Sequence, residues 1–308
     1  MRARVRDTEI YFDVEGMGLV PDGAVLREKP VAFLIHGGPG GDHTGFKPSF
    51  SALADRLQLV YFDHRGQGRS ARGDIAKYTL DENVADMEAL REHLGLGPIV
   101  SIGTSYGGMV AMAHAARHPG SVSHLVLVVT AAHRGFIDRA KQIVAERGTP
   151  EQQRVCEAVW GKGFRDEAEM RHYYDVMGPM YSHRYKPADA GVIRGRGTLS
   201  PDAINAAFGP GGFMHSYDLR PELAKITAPT LILAGRHDWI CAPEFSEELH
   251  RLIPGSDLRI FEESSHSIRV DEPEKMRDAI AGFVVYKTRG CDATTRAAQV
   301  ADCTEDSH

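Results

Sequence analysis

"PIVSIGTSYGGMVAMAHAARH", residues 98–118, changes character at its centre. Pro98 to Ile102 is an apolar run suited to a buried strand, and Met109 to His118 reads as a helix. Between them Ser105 stands among Gly103, Gly107 and Gly108. Glycines are costly to order, so three within six residues imply that the backbone needs room there. A GxSxG pattern arises by chance in roughly one chain in ten of this length. One that closes a strand and opens a helix has the context of a nucleophile elbow, in which a strained turn holds the serine up for attack. Ser105 is therefore the candidate nucleophile.

Working outward, "PVAFLIH", "LQLVYFD", "VSHLVLVVT", "PTLILAG" and "DLRIFEE" repeat the buried-strand pattern. "RARVR" and "EIYFDVEG" flank Asp7-Thr8 as an opening hairpin. Helical stretches separate the later strands. In one, Leu80, Val84, Met87, Leu90 and Leu94 share a face, and Thr79 with Glu82 predicts a capping box. A last helix groups Met276, Ile280, Phe283 and Val284, with Asp271 and Glu274 suited to its N-terminus. Buried strands alternating with helices predict an α/β fold: a mostly parallel sheet with helices on both faces. The alternation stops over residues 131–228, too long for an ordinary connection. This aromatic and polar segment is expected to be an inserted helical cap over the C-terminal edge of the sheet. Residues 1–130 and 229–286 then form the core, and the polar residues 287–308 a mobile tail.

A serine hydroxyl needs a base to take its proton. In a strand–serine–helix fold of this kind the acid and then the base follow the serine along the chain. "PTLILAGRHD" ends one strand and delivers Asp238, and "DLRIFEESSHS" ends the next and delivers His266. Asp257 opens its strand, at the opposite edge, and His250 falls in a helical stretch. Acyl transfer also needs donors for a developing oxyanion. The Tyr106 N–H, directly after the serine, is one. The glycine loop "HGGPGG", His36 to Gly41, supplies the other, with Gly38 favoured over Gly37. That loop is not a phosphate cradle, because Pro39 lacks an N–H and neither Lys-Ser/Thr nor GxGxxG follows. In "FDHRGQGRS", Phe62 to Ser70, Asp63 and Arg65 are expected to buttress neighbouring loops.

Composition narrows the class. The 308 residues are 42% hydrophobic and 25% charged, with a formal net charge of −6. That balance offers nothing to nucleic acid or an anionic membrane surface. No apolar stretch approaches the ~20 residues of a spanning helix, and "MRARVRDTEIYFDVEG" lacks the apolar core of a signal peptide. Cys156, Cys241, Cys291 and Cys303 are far apart, which fits free thiols in a reducing cytoplasm.

Taken together, "HGGPGG", "DHRGQGRS", "GTSYGG", "GRHDWICAP" and "SSHS" resemble, in order, the blocks of the α/β-hydrolase fold, and more narrowly of the prolyl aminopeptidases (proline iminopeptidases), from about Val31 to His266. The resemblance implies a serine peptidase that releases an N-terminal proline or another small residue from short peptides, without metal or cofactor. Members of that family bind the substrate ammonium with glutamates of the cap. "EMRHYY" loosely resembles such a motif and makes Glu169 the candidate. Some members carry a carboxylate directly after the catalytic acid, where this chain has Trp239. Relatives sharing "HGGPG" also cleave other amides, esters or lactones, so an esterase, lactonase or amidase acting on small acyl substrates is the alternative. The expected partner is a small molecule or short peptide. The oligomeric state stays open.

Overall fold

The computed structural model describes residues 1–186 and 197–284. The expected tail, with Cys291 and Cys303, lies outside them. Eight strands form one sheet in the order β1-β2-β6-β5-β7-β8-β9-β10. Here β1 is Arg2–Val5, β2 Thr8–Glu15, β5 Val31–Ile35, β6 Gln58–Phe62, β7 Ile99–Thr104, β8 Val122–Val128, β9 Thr230–Gly235 and β10 Asp257–Phe261. The opening hairpin pairs antiparallel and joins β6 antiparallel; every pairing from β6 to β10 is parallel. A separate hairpin, β3 (Leu19–Asp22) with β4 (Val25–Glu28), was not legible in the sequence. Its residues are largely exposed, so it lacks the buried face that gives a strand its alternation.

The sheet is covered on both faces, as its unbroken apolar strands require. Phe33 and Ile35 point into one core with α1 (Leu80–His93) and α2 (Tyr106–Arg117). Their neighbours Ala32 and Leu34 point into the other core, with Met276, Ile280 and Phe283 of the helix over residues 273–284. Two helix starts differ from expectation. Thr79 does accept from the Glu82 N–H at 3.3 Å, but the Glu82 carboxylate pairs with Arg6 and Arg65 rather than turning back to the cap. Asp271 does not cap the last helix. It is buried, and accepts from Ser182 Oγ at 2.6 Å and the Ser265 N–H at 3.0 Å.

Between β8 and β9 the chain leaves the sheet. It forms α3 (Gly135–Arg147), α4 (Pro150–Glu157), a π-helical turn (Ala158–Lys162), α5 (Glu167–Tyr181) and α6 (Pro201–Phe208). Thr149 and Gln152 make a complete capping box on α4, and Asp166 caps α5. Phe136, Met170, Tyr173, Met177, Ile204 and Phe208 carry the apolar faces of these helices into the core shared with α1 and α2.

Candidate active site

Ser105 links β7 to α2 with φ 55° and ψ −121°, a conformation that L-residues rarely adopt. Holding it costs about 1–3 kcal/mol, recovered from the surrounding packing. Its N–H donates to Val128 O at 2.9 Å, and its own carbonyl accepts from the Gly108 N–H and Thr130 Oγ1, both at 2.8 Å. The glycines are there for space. A Cβ on Gly107 would stand 1.9 Å from the Ile35 carbonyl oxygen, and one on Gly103 would stand 2.3 Å from Gly107 O. Only bare backbone lets the helix start this close to β5 and β7.

Asp238 follows β9 and His266 follows β10, so both lie at the strand ends where Ser105 lies. The imidazole Nδ1 is 2.9 Å and 2.8 Å from the two Asp238 carboxylate oxygens. One of those oxygens also accepts from the Ile240 and Cys241 N–H groups, at 2.8 and 3.1 Å. The carboxylate is thereby oriented by its own turn, and both side chains are nearly enclosed. With Nδ1 committed as a donor, Nε2 is the nitrogen left to accept a proton. Ser105 and His266 line the same cavity, of about 370 Å³.

Tyr106 opens α2, so its N–H has no partner within the helix. Gly37 packs directly on the serine: a Cβ there would be 3.1 Å from Ser105 Cβ. Gly37 and Gly38 both line the cavity, and Gly38 has φ 118°, which favours glycine.

A family model described as "alpha/beta hydrolase fold" matches residues 30–273. The chain belongs to the alpha/beta hydrolase fold family. This hydrolase is 29% identical over 270 residues to proline iminopeptidase PfmaB of Pestalotiopsis fici, spanning 85% of this chain and 94% of that one. The solved proline iminopeptidase of Mycobacterium smegmatis superposes with a TM-score of 0.74 at 22% identity, over 93% and 97% of the two chains. An esterase of Exiguobacterium antarcticum superposes at 0.69 with 22% identity, over 92% and 98%. At such identities these two structures speak for the fold alone.

Two buried histidines of the hydrolase brace the glycine loop. The His64 N–H donates to His36 Nε2 at 3.3 Å, which leaves His36 Nδ1–H to donate to Gly37 O at 2.8 Å. Burial lowers the pKa of both imidazoles, His64 further, so both are neutral. Asp63 accepts from the His43 and Arg69 N–H groups, both at 2.8 Å. Burial pushes its carboxyl up, but the hydrogen bonds from the His43 ring and the Arg69 N–H outweigh this and hold it below the ordinary value. Arg65 grips Asp86 through two 2.6 Å hydrogen bonds. The His64–His36, His43–Asp63 and Arg65–Asp86 pairings were not legible in the sequence, because each joins residues twenty or more positions apart.

Toward α5 and the π-helical turn the wall is aromatic. Trp239 is fully buried, 5.5 Å from Tyr181 and 5.9 Å from Trp160 between ring centres, and its indole N–H has no hydrogen-bond partner among the described residues. Tyr181 in turn stands 5.7 Å from the His266 ring. Glu169 requires a correction. It lies outside the cavity lining, and its carboxylate is taken by the Arg165 N–H at 2.8 Å and by Lys162 at 3.3 Å. The Asp166 cap sets the phase of α5 so that Met170 and Tyr173 face inward and Glu169 does not. Among the described residues, no group of three or more His, Cys, Asp or Glu is placed to hold a metal, and no helix is long and apolar enough to cross a membrane.

Proposed function

We propose that the chain is a serine hydrolase working through an acyl-enzyme on Ser105, and that it releases an N-terminal proline or another small residue from short peptides. The observation that carries this reading is the buried His266–Asp238 pair opening onto the same cavity as a serine held at positive φ. The similarity to proline iminopeptidases supports the choice of bond. His266, kept in one tautomer by Asp238, takes the Ser105 proton as Oγ attacks the carbonyl. The Tyr106 N–H and the Gly38 N–H, or that of Gly37, hold the oxyanion. His266 then protonates the departing amine and activates the water that frees the acid. A cytoplasmic setting goes with this reading, since Cys156 and Cys241 are free buried thiols.

A second reading, cleavage of small esters or lactones, is favoured by one observation: Glu169 is absent from the cavity. A panel of aminoacyl arylamides and short acyl esters, with free and blocked amines, separates the two. Turnover that needs a free amine supports the peptidase. Hydrolysis of esters alone supports the second reading. In either case Ser105→Ala should lose at least about 10³-fold in kcat.

A further inference from the structure

Among the described residues, the cavity wall holds four cationic residues, Arg171, Arg184, Lys186 and Arg269, against one acid, Asp42. The acid is already satisfied. One of its oxygens accepts from the Thr44 N–H and hydroxyl at 3.0 and 2.5 Å, the other from the Thr198 N–H at 2.8 Å. Arg171 is paired with Glu167 and with Gly197 O. Arg269 is different. It sits three residues after His266, and its Nε–H donates to the Gly45 carbonyl at 2.8 Å. Gly45 also lines the cavity. Neither Arg269 nor Arg184 nor Lys186 makes an ion pair among the described residues. The nearby Asp271 carboxylate is buried and answers Ser182, Ser265 and the Arg184 N–H instead. Burial lowers the Arg269 pKa, with Asp271 opposing, yet a guanidinium stays charged at any physiological pH.

An ammonium entering this cavity meets four cationic residues and one acid whose carboxylate already accepts three hydrogen bonds. An anion meets a guanidinium that makes no ion pair among the described residues and presents a donor fork suited to carboxylate. We infer that Arg269, with Arg184 and Lys186, forms a subsite for a carboxylate, so that the acyl compound cleaved at Ser105 carries one near the scissile bond. The inference rests on the hydrolase reading of Ser105. The carboxylate can belong to the leaving portion, as in a dipeptide, or to the acyl portion, as in a dicarboxylic half-ester.

Two substrate pairs distinguish these sources: Pro-Ala against Pro-Ala-amide, and nitrophenyl hemisuccinate against nitrophenyl butyrate. At low salt the carboxylate member of at least one pair should lead by about 10–100-fold in kcat/KM. The lead should shrink with added salt, vanish in Arg269→Gln and return in part in Arg269→Lys. Calorimetry of Ser105→Ala with the same four compounds reads binding without turnover. Neutral members matching or exceeding the carboxylates in both pairs, in rate and in binding, overturn the subsite. Should Arg269→Gln fail to fold, the wild-type ratio and its salt dependence decide. Ser105-dependent hydrolysis without a carboxylate preference overturns the subsite and leaves the hydrolase standing. Carboxylate binding without Ser105-dependent turnover does the reverse.

Discussion

Asp238→Asn changes one atom at the heart of the proposed chemistry. The carboxylate is 2% exposed and faces His266 Nδ1 through both oxygens. The oxygen that accepts from the Ile240 and Cys241 N–H groups can remain the carbonyl of an asparagine. The amide NH₂ must then point at His266. Nδ1 can no longer donate and has to accept, so the ring proton moves to Nε2, where the base needs a lone pair. The imidazolium formed during attack also loses its counter-charge. A wrong tautomer of this kind costs about 10⁴-fold in kcat, or about 5.5 kcal/mol. The turn stays hydrogen-bonded, so Tm should move by only a few degrees. Steady-state kinetics on the best substrate of the panel, with a thermal melt of the same sample, makes the comparison. A variant that keeps more than a tenth of wild-type kcat refutes the assignment of Asp238 as the residue that orients the base.

Ser105→Gly should abolish turnover and raise stability. Glycine adopts φ 55° without the serine's ~1–3 kcal/mol penalty, and after the ~0.5–1 kcal/mol entropic cost of glycine a gain of about 1 kcal/mol remains, or a Tm rise of about 1–2 °C; an unchanged or lower Tm contradicts stored strain at this turn. Acidification should destabilise the fold through His36 and His64. Burial keeps both neutral in the native state, whereas the unfolded chain protonates them below pH ~6.5. The unfolded state then binds more protons, so stability is present above that value and falls below it, by about 1.4 kcal/mol per pH unit for each histidine until its native pKa is reached. Urea titrations from pH 7.5 to 5 should show the midpoint falling, and a flat midpoint contradicts it.

Much of the architecture can be read from strand ends. Ser105, Asp238 and His266 each follow an apolar run, and parallel strands bring such ends to one edge, so order along the chain translates into proximity. Positions set by side-chain choice among several partners were not legible. Glu82 could cap its helix or pair with Arg6 and Arg65, and its local spacing favours the cap while tertiary charge takes it away. Asp271 looked like a helix-start acid but is held inward by Ser182, 89 residues distant. Glu169 sat in a motif-like string, yet the phase of α5, set by the Asp166 cap three residues earlier, turns it from the cavity. Arg269 stands three residues beyond the base, in the short helix Ile268–Asp271, and no local pattern in the sequence marks it as facing the cavity.

The central claim is that Ser105 is the nucleophile activated by His266. A fluorophosphonate probe followed by peptide mass spectrometry tests it directly. A single phosphonyl adduct on Ser105, formed in the wild type and slowed at least about 10³-fold in His266→Ala, is the expected result. A folded wild-type protein that takes no adduct, or takes it on another residue, contradicts the account.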